Sequence, residues 1–262
     1  MAAEVADELE VRREAAVLEH APGVATHRKH PASLDAVVLE VGLGGRLDTV
    51  NVVDADMALV TSIGVDHCDF LGNTRESVAF EKAGILRAGK PALCGDLNPP
   101  QPLLDKAAAL NCQFLLRGRD FDLAITDQHW QWRGVDAAGN ALELHDLPLL
   151  DLPMENAALA LQTYRLTGLP WEPERIAQAL RDTRIVGRLD RRTFSWQGKR
   201  LSILLDVGHN PHAAQYLAQR LASRAVAGKR LAVFGLLADK DLDGVVSELN
   251  ASVAHWAVAP LD

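Results

Sequence analysis

The 262-residue sequence has few cysteines, no excess of positive charge and no long hydrophobic run. Its three cysteines, Cys68, Cys94 and Cys112, lack CxxC spacing, so neither a disulfide framework nor a structural zinc site is indicated. The formal net charge of -8 argues against a nucleic-acid-binding protein. No stretch approaches the roughly 18 apolar residues that span a membrane, and the N-terminus has no export signal. We therefore expect a soluble, cytoplasmic, monomeric protein that acts on small molecules.

A standard phosphate-binding loop is also absent. Residues 40–51, EVGLGGRLDTVN, follow the apolar run AVVL, which predicts a buried strand. The dinucleotide pattern G-x-G-x-x-G, started at Gly42, fails at Leu47, where the last glycine is required. The P-loop pattern also fails, because Arg46 and Leu47 supply neither its lysine nor its hydroxyl. This glycine-rich loop is therefore neither of the two common phosphate cradles.

Apolar runs alternate with helical patterns from Leu34 onward. This alternation predicts an α/β fold with a mainly parallel sheet covered by helices. We predict a helix over 4–20 within an unassigned segment 1–33. The predicted organisation is then a first domain over 34–182 with a small antiparallel insert at 121–147, a linker at 183–188 and a second α/β domain over 189–262.

Polar residues follow two of the predicted strands. Glu40 ends the first strand, and Asp66 and His67 end the next. The carboxyl ends of parallel neighbours meet at one sheet edge, where ligands bind in open α/β folds. Glu40 and His67 could share a Mg²⁺ or Mn²⁺ ion there. The alternatives are an ion pair between Glu40 and Arg46 and a hydrogen-bonded loop histidine.

Lys82 occupies an unusual position on a predicted helix that runs from about 74 to 88. The helix is expected to begin with Asn73 as its N-cap and Glu76 at position N3. Val78, Lys82 and Ile85 then fall in one stripe that faces the sheet. A lysine in that stripe either extends its amine to solvent or points at a charged site.

Three motifs in order resemble one known family: EVGLGGRLDTVN, then VTSIGVDHCDFLG with ESVAFEKAGI, and LDVGHNPHA. They are similar to the bifunctional dihydrofolate synthase/folylpolyglutamate synthase family of the Mur ligase superfamily, from about Leu34 to the last residue. The resemblance implies a P-loop-type ATPase domain followed by a smaller Rossmann-like domain. It also implies ATP-dependent addition of L-glutamate to dihydropteroate and to tetrahydrofolate through an acyl phosphate.

The resemblance also implies roles for individual residues. The implied roles are Mg²⁺ ligation by Glu40 and His67, carboxylation of Lys82 by CO₂, pterin contacts by Leu47, Asp48 and Thr49, nucleotide contacts by Asn156, Arg188 and Asp206, and a catalytic role for His209. The residues of the last motif agree with this, because Asn210 can cap a helix that Pro211 starts after a strand.

The sequence also departs from the family pattern. A P-loop of the G-T-x-G-K-G-[ST] type is expected roughly a hundred residues before Glu40, and no Gly-Lys-Ser or Gly-Lys-Thr occurs in the 262 residues. We therefore expect a family member truncated at both ends, with little or no ligase activity by itself. The alternatives are a Mur-type ligase that adds an amino acid to a cell-wall precursor, and a non-catalytic folate-binding protein.

Overall fold

The computed structural model describes residues 34–224 and 226–261. The helix predicted over 4–20 lies outside the described residues. The chain divides into two compact units. The first unit comprises the described residues up to Leu116, and the second unit begins at Arg117.

The first unit is a parallel three-stranded sheet with helices. A 3₁₀ turn, Thr49–Val52, precedes its regular elements. In chain order these are β1 (Ala58–Val60), α1 (Cys68–Leu71), α2 (Arg75–Ala83), β2 (Pro91–Cys94), α3 (Gln101–Ala109) and β3 (Gln113–Leu116). The strand order is β1-β2-β3, with both pairs parallel. The predicted parallel sheet is thereby confirmed for these strands.

The core of the first unit lies between this sheet and its helices. Val78 and Ala83 from α2 and Leu103 from α3 are buried against Val60 and Ala92 of the strands. This burial explains the apolar run of β2, in which Ala92, Leu93 and Cys94 are all buried, whereas Leu59 of β1 is 38% exposed. It also fixes the side of α2 that faces the sheet.

The predicted strand that ends at Glu40 is not formed, so this prediction is wrong. Residues 34–41 carry no strand in the structure, and Val38 is 86% exposed. In the described part of the chain, β1 pairs with β2 and no strand lies on its other side. An apolar run becomes a strand only where a neighbour satisfies its backbone N–H and C=O groups. Glu40 is therefore an exposed residue of an irregular segment and not a strand end.

The start of α2 also differs from the prediction. Thr74, not Asn73, is the N-cap, and its hydroxyl oxygen accepts the N–H of Ser77 at 3.1 Å. Ser77 Oγ in turn lies 3.3 Å from the N–H of Thr74 and accepts it, which completes a capping box with serine in place of glutamate. With Thr74 as the N-cap, Ser77 occupies position N3, and its hydroxyl takes the role that a glutamate usually has there. Glu76 is therefore not needed for capping.

The second unit begins with the antiparallel module predicted at 121–147. Strands β4 (Asp122–Ile125), β5 (His129–Val135) and β6 (Ala141–Pro148) pair antiparallel in that order. Helices α4 (Met154–Leu166) and α5 (Pro173–Asp182) follow. Trp130 and Trp132 of β5 are buried between the sheet and these helices.

Gln162 of α4 is fully buried and bonds to the backbone of β5. Its side-chain oxygen accepts the N–H of Val135 at 3.0 Å, and its side-chain nitrogen donates to the carbonyl of Val135 at 2.8 Å. Gly134 permits this approach, since a Cβ there would lie 2.3 Å from Gln162 Oε1. The amide of Gln162 thus pairs with Val135 as a peptide group of a neighbouring strand would.

The remainder of the second unit confirms the second predicted run of strands and helices. Its elements are β7 (Asp190–Trp196), β8 (Lys199–Leu205), α6 (Pro211–Ala222), β9 (Leu231–Phe234), α7 (Leu242–Leu249), the 3₁₀ turn Asn250–Ser252 and β10 (His255–Val258). β7 and β8 form an antiparallel hairpin, whereas β9 and β10 pair parallel. None of the described helices has the length and apolarity to cross a membrane.

Candidate functional site

The loop that follows the glycines is organised by Asp48. One carboxylate oxygen of Asp48 accepts the N–H groups of Gly42 at 2.9 Å and Leu43 at 3.0 Å. The other oxygen accepts the N–H of Val50 at 3.0 Å and caps the 3₁₀ turn. Leu47, beside it, is 78% exposed. Within the predicted pterin turn, Asp48 therefore holds the loop together and Leu47 presents the apolar surface.

This loop is docked on the C-terminal end of α2. Arg46 makes a bidentate ion pair with Glu81, with N···O distances of 3.0 to 3.2 Å. Asn51 donates from its side-chain nitrogen to the carbonyls of Arg46 and Gly84, at 3.1 Å each. The alternative in which Arg46 pairs with Glu40 is wrong, because Arg46 faces Glu81 of the helix instead.

The glycines allow the loop to approach this helix closely. A Cβ on Gly45, whose φ is +148°, would lie 2.9 Å from a methyl carbon of Ile85 and 3.4 Å from Cα of Lys82. A Cβ on Gly44, whose φ is +66°, would lie 2.8 Å from Leu71. Both positions therefore require glycine for backbone conformation and for space. The loop and Lys82, predicted as parts of one site, are brought together in the structure.

Lys82 lies half-buried on the side of α2 that also carries the buried Val78. Burial lowers the pKa of its amine below the ordinary value. In the described part of the chain, the amine has no hydrogen bond or ion pair. An unpaired lysine with a lowered pKa has a larger neutral, nucleophilic fraction than an ordinary one.

His67 lies four residues beyond Ile63, after the carboxyl end of β1. Its backbone is left-handed, with φ of 50°, and its N–H donates to the carboxylate of Asp66 at 2.7 Å. The imidazole is exposed. Glu40 belongs to no group of three or more potential metal ligands in the described ranges. Metal ligation by His67 and by Glu40 therefore stays a prediction.

A second cluster of predicted residues lies within the second unit, around Asp206. Its carboxylate accepts the N–H of Leu189 at 2.9 Å and that of Gly208 at 2.8 Å. Arg188, which precedes Leu189, is exposed. His209 Nδ1 lies 3.1 Å from the carbonyl oxygen of Val207. Asp206 thus orders the backbone next to Arg188 and next to His209, so these three predicted residues share one location.

The helix that follows this cluster begins as predicted. Asn210 is the N-cap of α6, and its side-chain oxygen accepts the N–H of Ala213 at 2.9 Å. Pro211 occupies the first turn, where its missing N–H costs no hydrogen bond.

Tyr216 of α6, which the sequence did not indicate, lies within electrostatic range of Asp206 and of Glu155 in the first turn of α4. Its hydroxyl is buried and has no hydrogen-bond partner among the residues that the structure describes. Burial raises the pKa of Tyr216 to about 12; Arg220 opposes this, while the carboxylates of Glu155, Asp151 and Asp206 contribute to it. Glu155 and Asp206 therefore act on the same hydroxyl. Asn156, the exposed neighbour of Glu155, lies in that turn of α4.

Asp151 and three arginines form another group that the sequence did not indicate. Arg224 lies 3.1 Å from the Asp151 carboxylate, and Arg191 and Arg220 lie 3.7 Å from it. Arg220 also donates to the carbonyl of Leu150 at 2.6 Å. These pairs fasten α6 and β7 to the segment before α4. The paired residues are up to about 70 positions apart in the sequence, so no local sequence pattern predicts these contacts.

Comparison with known proteins places these features in a class. Residues 187–262 match the family described as Mur ligase, glutamate ligase domain. The dihydrofolate synthase/folylpolyglutamate synthase of Haemophilus influenzae is 40% identical over 245 residues, which is 88% of this chain and 55% of that protein. The protein of that name from Escherichia coli is 42% identical over 231 residues, covering 88% of this chain and 52% of the relative.

Solved structures agree with these sequence relatives. An E. coli structure in complex with ADP, without folate substrate, is 42% identical with a TM-score of 0.78, over 86% of this chain and 53% of that one. A bifunctional folylpolyglutamate synthase/dihydrofolate synthase with Mn, AMPPNP and L-glutamate bound is 43% identical with a TM-score of 0.77, over 88% and 54%.

The chain is thus an α/β protein with the Mur ligase fold. Over most of its length it is homologous to the dihydrofolate synthase/folylpolyglutamate synthases, which confirms the resemblance seen in the motifs. It spans about half the length of the curated relatives that it matches.

Proposed function

We propose that this chain provides the folate-binding, metal-binding and glutamate-ligase portions of an ATP-dependent amide ligase of folate metabolism. The observation that carries the proposal is the docking of the glycine loop on α2, which brings the turn Leu47–Thr49 to the helix of Lys82. The relatives are named for the same chemistry, and one of their structures contains Mn, AMPPNP and L-glutamate. The proposed substrates are dihydropteroate or tetrahydrofolate, L-glutamate and ATP.

We propose that His67 and Glu40 of the first unit bind a hard divalent cation, Mg²⁺. His67 offers an exposed imidazole and Glu40 an exposed carboxylate. Mg²⁺ and Mn²⁺ both accept carboxylate oxygens, and an imidazole suits Mn²⁺ better. When bound, such an ion neutralises negative charge on nucleotide phosphates and on the acyl group.

Lys82 is proposed to act as a carbamate. Its neutral amine attacks CO₂, a nitrogen–carbon bond forms, and the amine proton leaves to solvent. The cation thus becomes an anion that can assist in holding the metal. The lowered pKa and the lack of an ion-pair partner both favour this reaction, because only the unprotonated amine attacks.

In the second unit, we propose that Asn156, Arg188 and Asp206 bind the nucleotide and that His209 has a catalytic role. The exposed guanidinium of Arg188 suits a phosphate. Asp206 fixes the backbone beside Arg188 by accepting the N–H of the next residue, Leu189. The reaction itself transfers the γ-phosphoryl group to the substrate carboxylate, after which the glutamate amine attacks and phosphate leaves.

The phosphate contacts of a P-loop have to come from residues other than these 262, since no Gly-Lys-Ser or Gly-Lys-Thr occurs in the sequence. The test is therefore a chimera. The segment of the E. coli relative that precedes its matched region is fused ahead of Leu34, and the segment that follows is fused after Leu261. We expect ATP-dependent formation of dihydrofolate from dihydropteroate and L-glutamate, measured by product mass and ADP release.

The control is the same chimera with Glu40→Gln, which we expect to abolish divalent-metal-dependent turnover. A folded chimera that binds nucleotide but consumes no ATP with dihydropteroate would refute the ligase assignment. Turnover with a cell-wall precursor instead would favour the Mur-type amino-acid ligase. Pterin binding by the 262-residue chain without any turnover of the chimera would favour a folate-binding protein.

A further inference from the structure

Asp96 lies just beyond β2 and bonds to the backbone of a neighbouring segment. One carboxylate oxygen accepts the N–H of Ile63 at 2.9 Å, and the other accepts the N–H of Asn98 at 2.9 Å. Its side chain is only 12% exposed. Ile63, a core residue that is 4% exposed, is thereby fixed where the chain leaves β1.

Arg75 completes the arrangement from the first turn of α2. Its guanidinium donates to the same oxygen of Asp96 at 2.8 Å and to the carbonyl of Ile63 at 3.0 Å. It also donates to the carbonyl of Asn98 at 3.2 Å. Asp96 and Arg75 thus satisfy both backbone groups of Ile63, as a neighbouring strand would.

These contacts hold both ends of one segment. Residues 64–74 lie between Ile63, three residues after the end of β1, and Arg75, the first residue of α2, and both Ile63 and Arg75 are bonded to Asp96. Between the ends lie Asp66, His67 and the short helix α1. The charge-assisted pair replaces sheet hydrogen bonds at the point where β1 has ended.

We propose that Asp96 and Arg75 are positioning residues that hold segment 64–74 in place, and with it the imidazole of His67, for a divalent cation. The inference rests on the proposed function for the cation, and on the hydrogen bonds above for the positioning. Residues that orient a metal ligand through intermediate hydrogen bonds typically change metal affinity by about 10- to 100-fold when they are removed. Asp96 acts through backbone, so we expect the lower end, about tenfold.

The experiment compares Asp96→Ala with Asp56→Ala in the 262-residue chain. Asp56 forms an ion pair with Lys90 at 2.9 Å, but its side chain is 95% exposed. Both variants remove a carboxylate of the first unit that forms a short ion pair, at 2.8 Å for Asp96 and at 2.9 Å for Asp56. The probe is Mn²⁺ alone. Its binding is measured by the paramagnetic broadening of the imidazole resonance of His67, and this resonance is assigned by its loss in His67→Gln. Hydrogen exchange of the amides of 64–74 is measured in the same samples without metal.

Asp96→Ala should raise the Mn²⁺ dissociation constant at His67 about tenfold and should speed amide exchange in 64–74 by at least that factor. The β2–β3 amides should exchange as before, and Asp56→Ala should change neither measurement. Asp96→Glu should restore part of the affinity. Exchange in 64–74 that is unchanged by Asp96→Ala overturns the inference, whether or not Mn²⁺ binds. Unsubstituted protein that binds no Mn²⁺ at His67 counts against the proposed function, and the exchange result still decides the positioning.

Discussion

The guanidinium of Arg87 donates to both oxygens of Asn51, at 2.7 Å to its backbone carbonyl and at 2.9 Å to its side chain. Asn51 in turn donates to the carbonyls of Arg46 and Gly84. The side-chain amide of Asn51 therefore both accepts and donates hydrogen bonds, and it links the glycine loop to the end of α2.

All five tryptophans lie beyond Arg117, so their fluorescence reports on the second unit. The first unit is therefore followed by hydrogen exchange.

Asn51→Ala removes the donor for two backbone carbonyls. We expect the opening free energy of residues 42–53 to fall by about 1–2 kcal/mol, since a hydrogen bond contributes about 0.5–1.5 kcal/mol net. Hydrogen exchange of peptides from 42–53 measures this. Gln101→Ala is the control, because within residues 34–224 and 226–261 the side chain of Gln101 bonds only to the exposed side chain of Asp105. Equal effects of the two substitutions would contradict the linking role of Asn51.

Gly84→Ala should destabilise the same junction through a steric clash. A Cβ at Gly84 would lie 2.3 Å from Cβ and 2.5 Å from Cα of Arg46. Forcing a methyl group into a packed contact costs about 1–3 kcal/mol. Gly64→Ala is the matched control, because nothing lies within 4 Å of its added Cβ. A neutral Gly84→Ala variant would show that the loop separates from the helix at little cost.

Asp96 should make the first unit sensitive to acid. Burial by itself would raise the pKa of this carboxyl, but hydrogen bonds from Ile63, Asn98 and Arg75 hold the pKa below the ordinary value of 3.8. The folded pKa is then lower than the unfolded one. The stabilisation is therefore fully present above the unfolded value and is lost as the pH falls through the folded pKa.

Asp96→Asn should remove this part of the pH dependence. Urea unfolding, measured by circular dichroism between about pH 2 and about pH 6, spans the pH range over which this stabilisation is lost. The unsubstituted chain should lose more stability on acidification than Asp96→Asn does. Parallel pH profiles for the two proteins would show that the carboxylate contributes nothing to acid sensitivity.

Lys82 should take up CO₂. The chain incubated with ¹³C-bicarbonate is expected to show a carbamate carbon resonance that disappears on acidification. Lys82→Arg keeps the positive charge but has no amine that forms the adduct, so its spectrum should lack the signal. In the chimera, Lys82→Ala should lose turnover and regain part of it with added short carboxylates. A carbamate signal that persists in Lys82→Arg would assign the reaction to another lysine.

Most regular elements could be predicted from the sequence because their signals are local. The strands β2 and β3 are short apolar runs between turn residues, and α6 begins with the cap Asn210 and with Pro211 as predicted. The stripe that contains Val78 faces the core, as its helical spacing indicated. Lys82 stands out in the sequence because a lysine is unusual in a stripe that faces the core.

The features that the sequence did not predict depend on contacts between residues far apart in the chain. Whether residues 34–41 form a strand depends on a neighbouring strand, which their own pattern cannot specify. Asp96 and Ile63 are 33 residues apart, as are Asn51 and Gly84, so no spacing rule connects them. The glycines of the loop suggested contact with a ligand, whereas Gly45 is required by contact with the helix.

The bond pattern between Gln162 and Val135 has a consequence for the behaviour of the protein in concentrated solution. Val135 lies beyond the residues of β5 that pair with β4, so its backbone would otherwise be open on that side. An open N–H and C=O at a sheet margin can recruit a strand from another molecule and begin aggregation. Because a helix side chain occupies both groups, intermolecular strand addition is blocked at this position without a charged or proline residue.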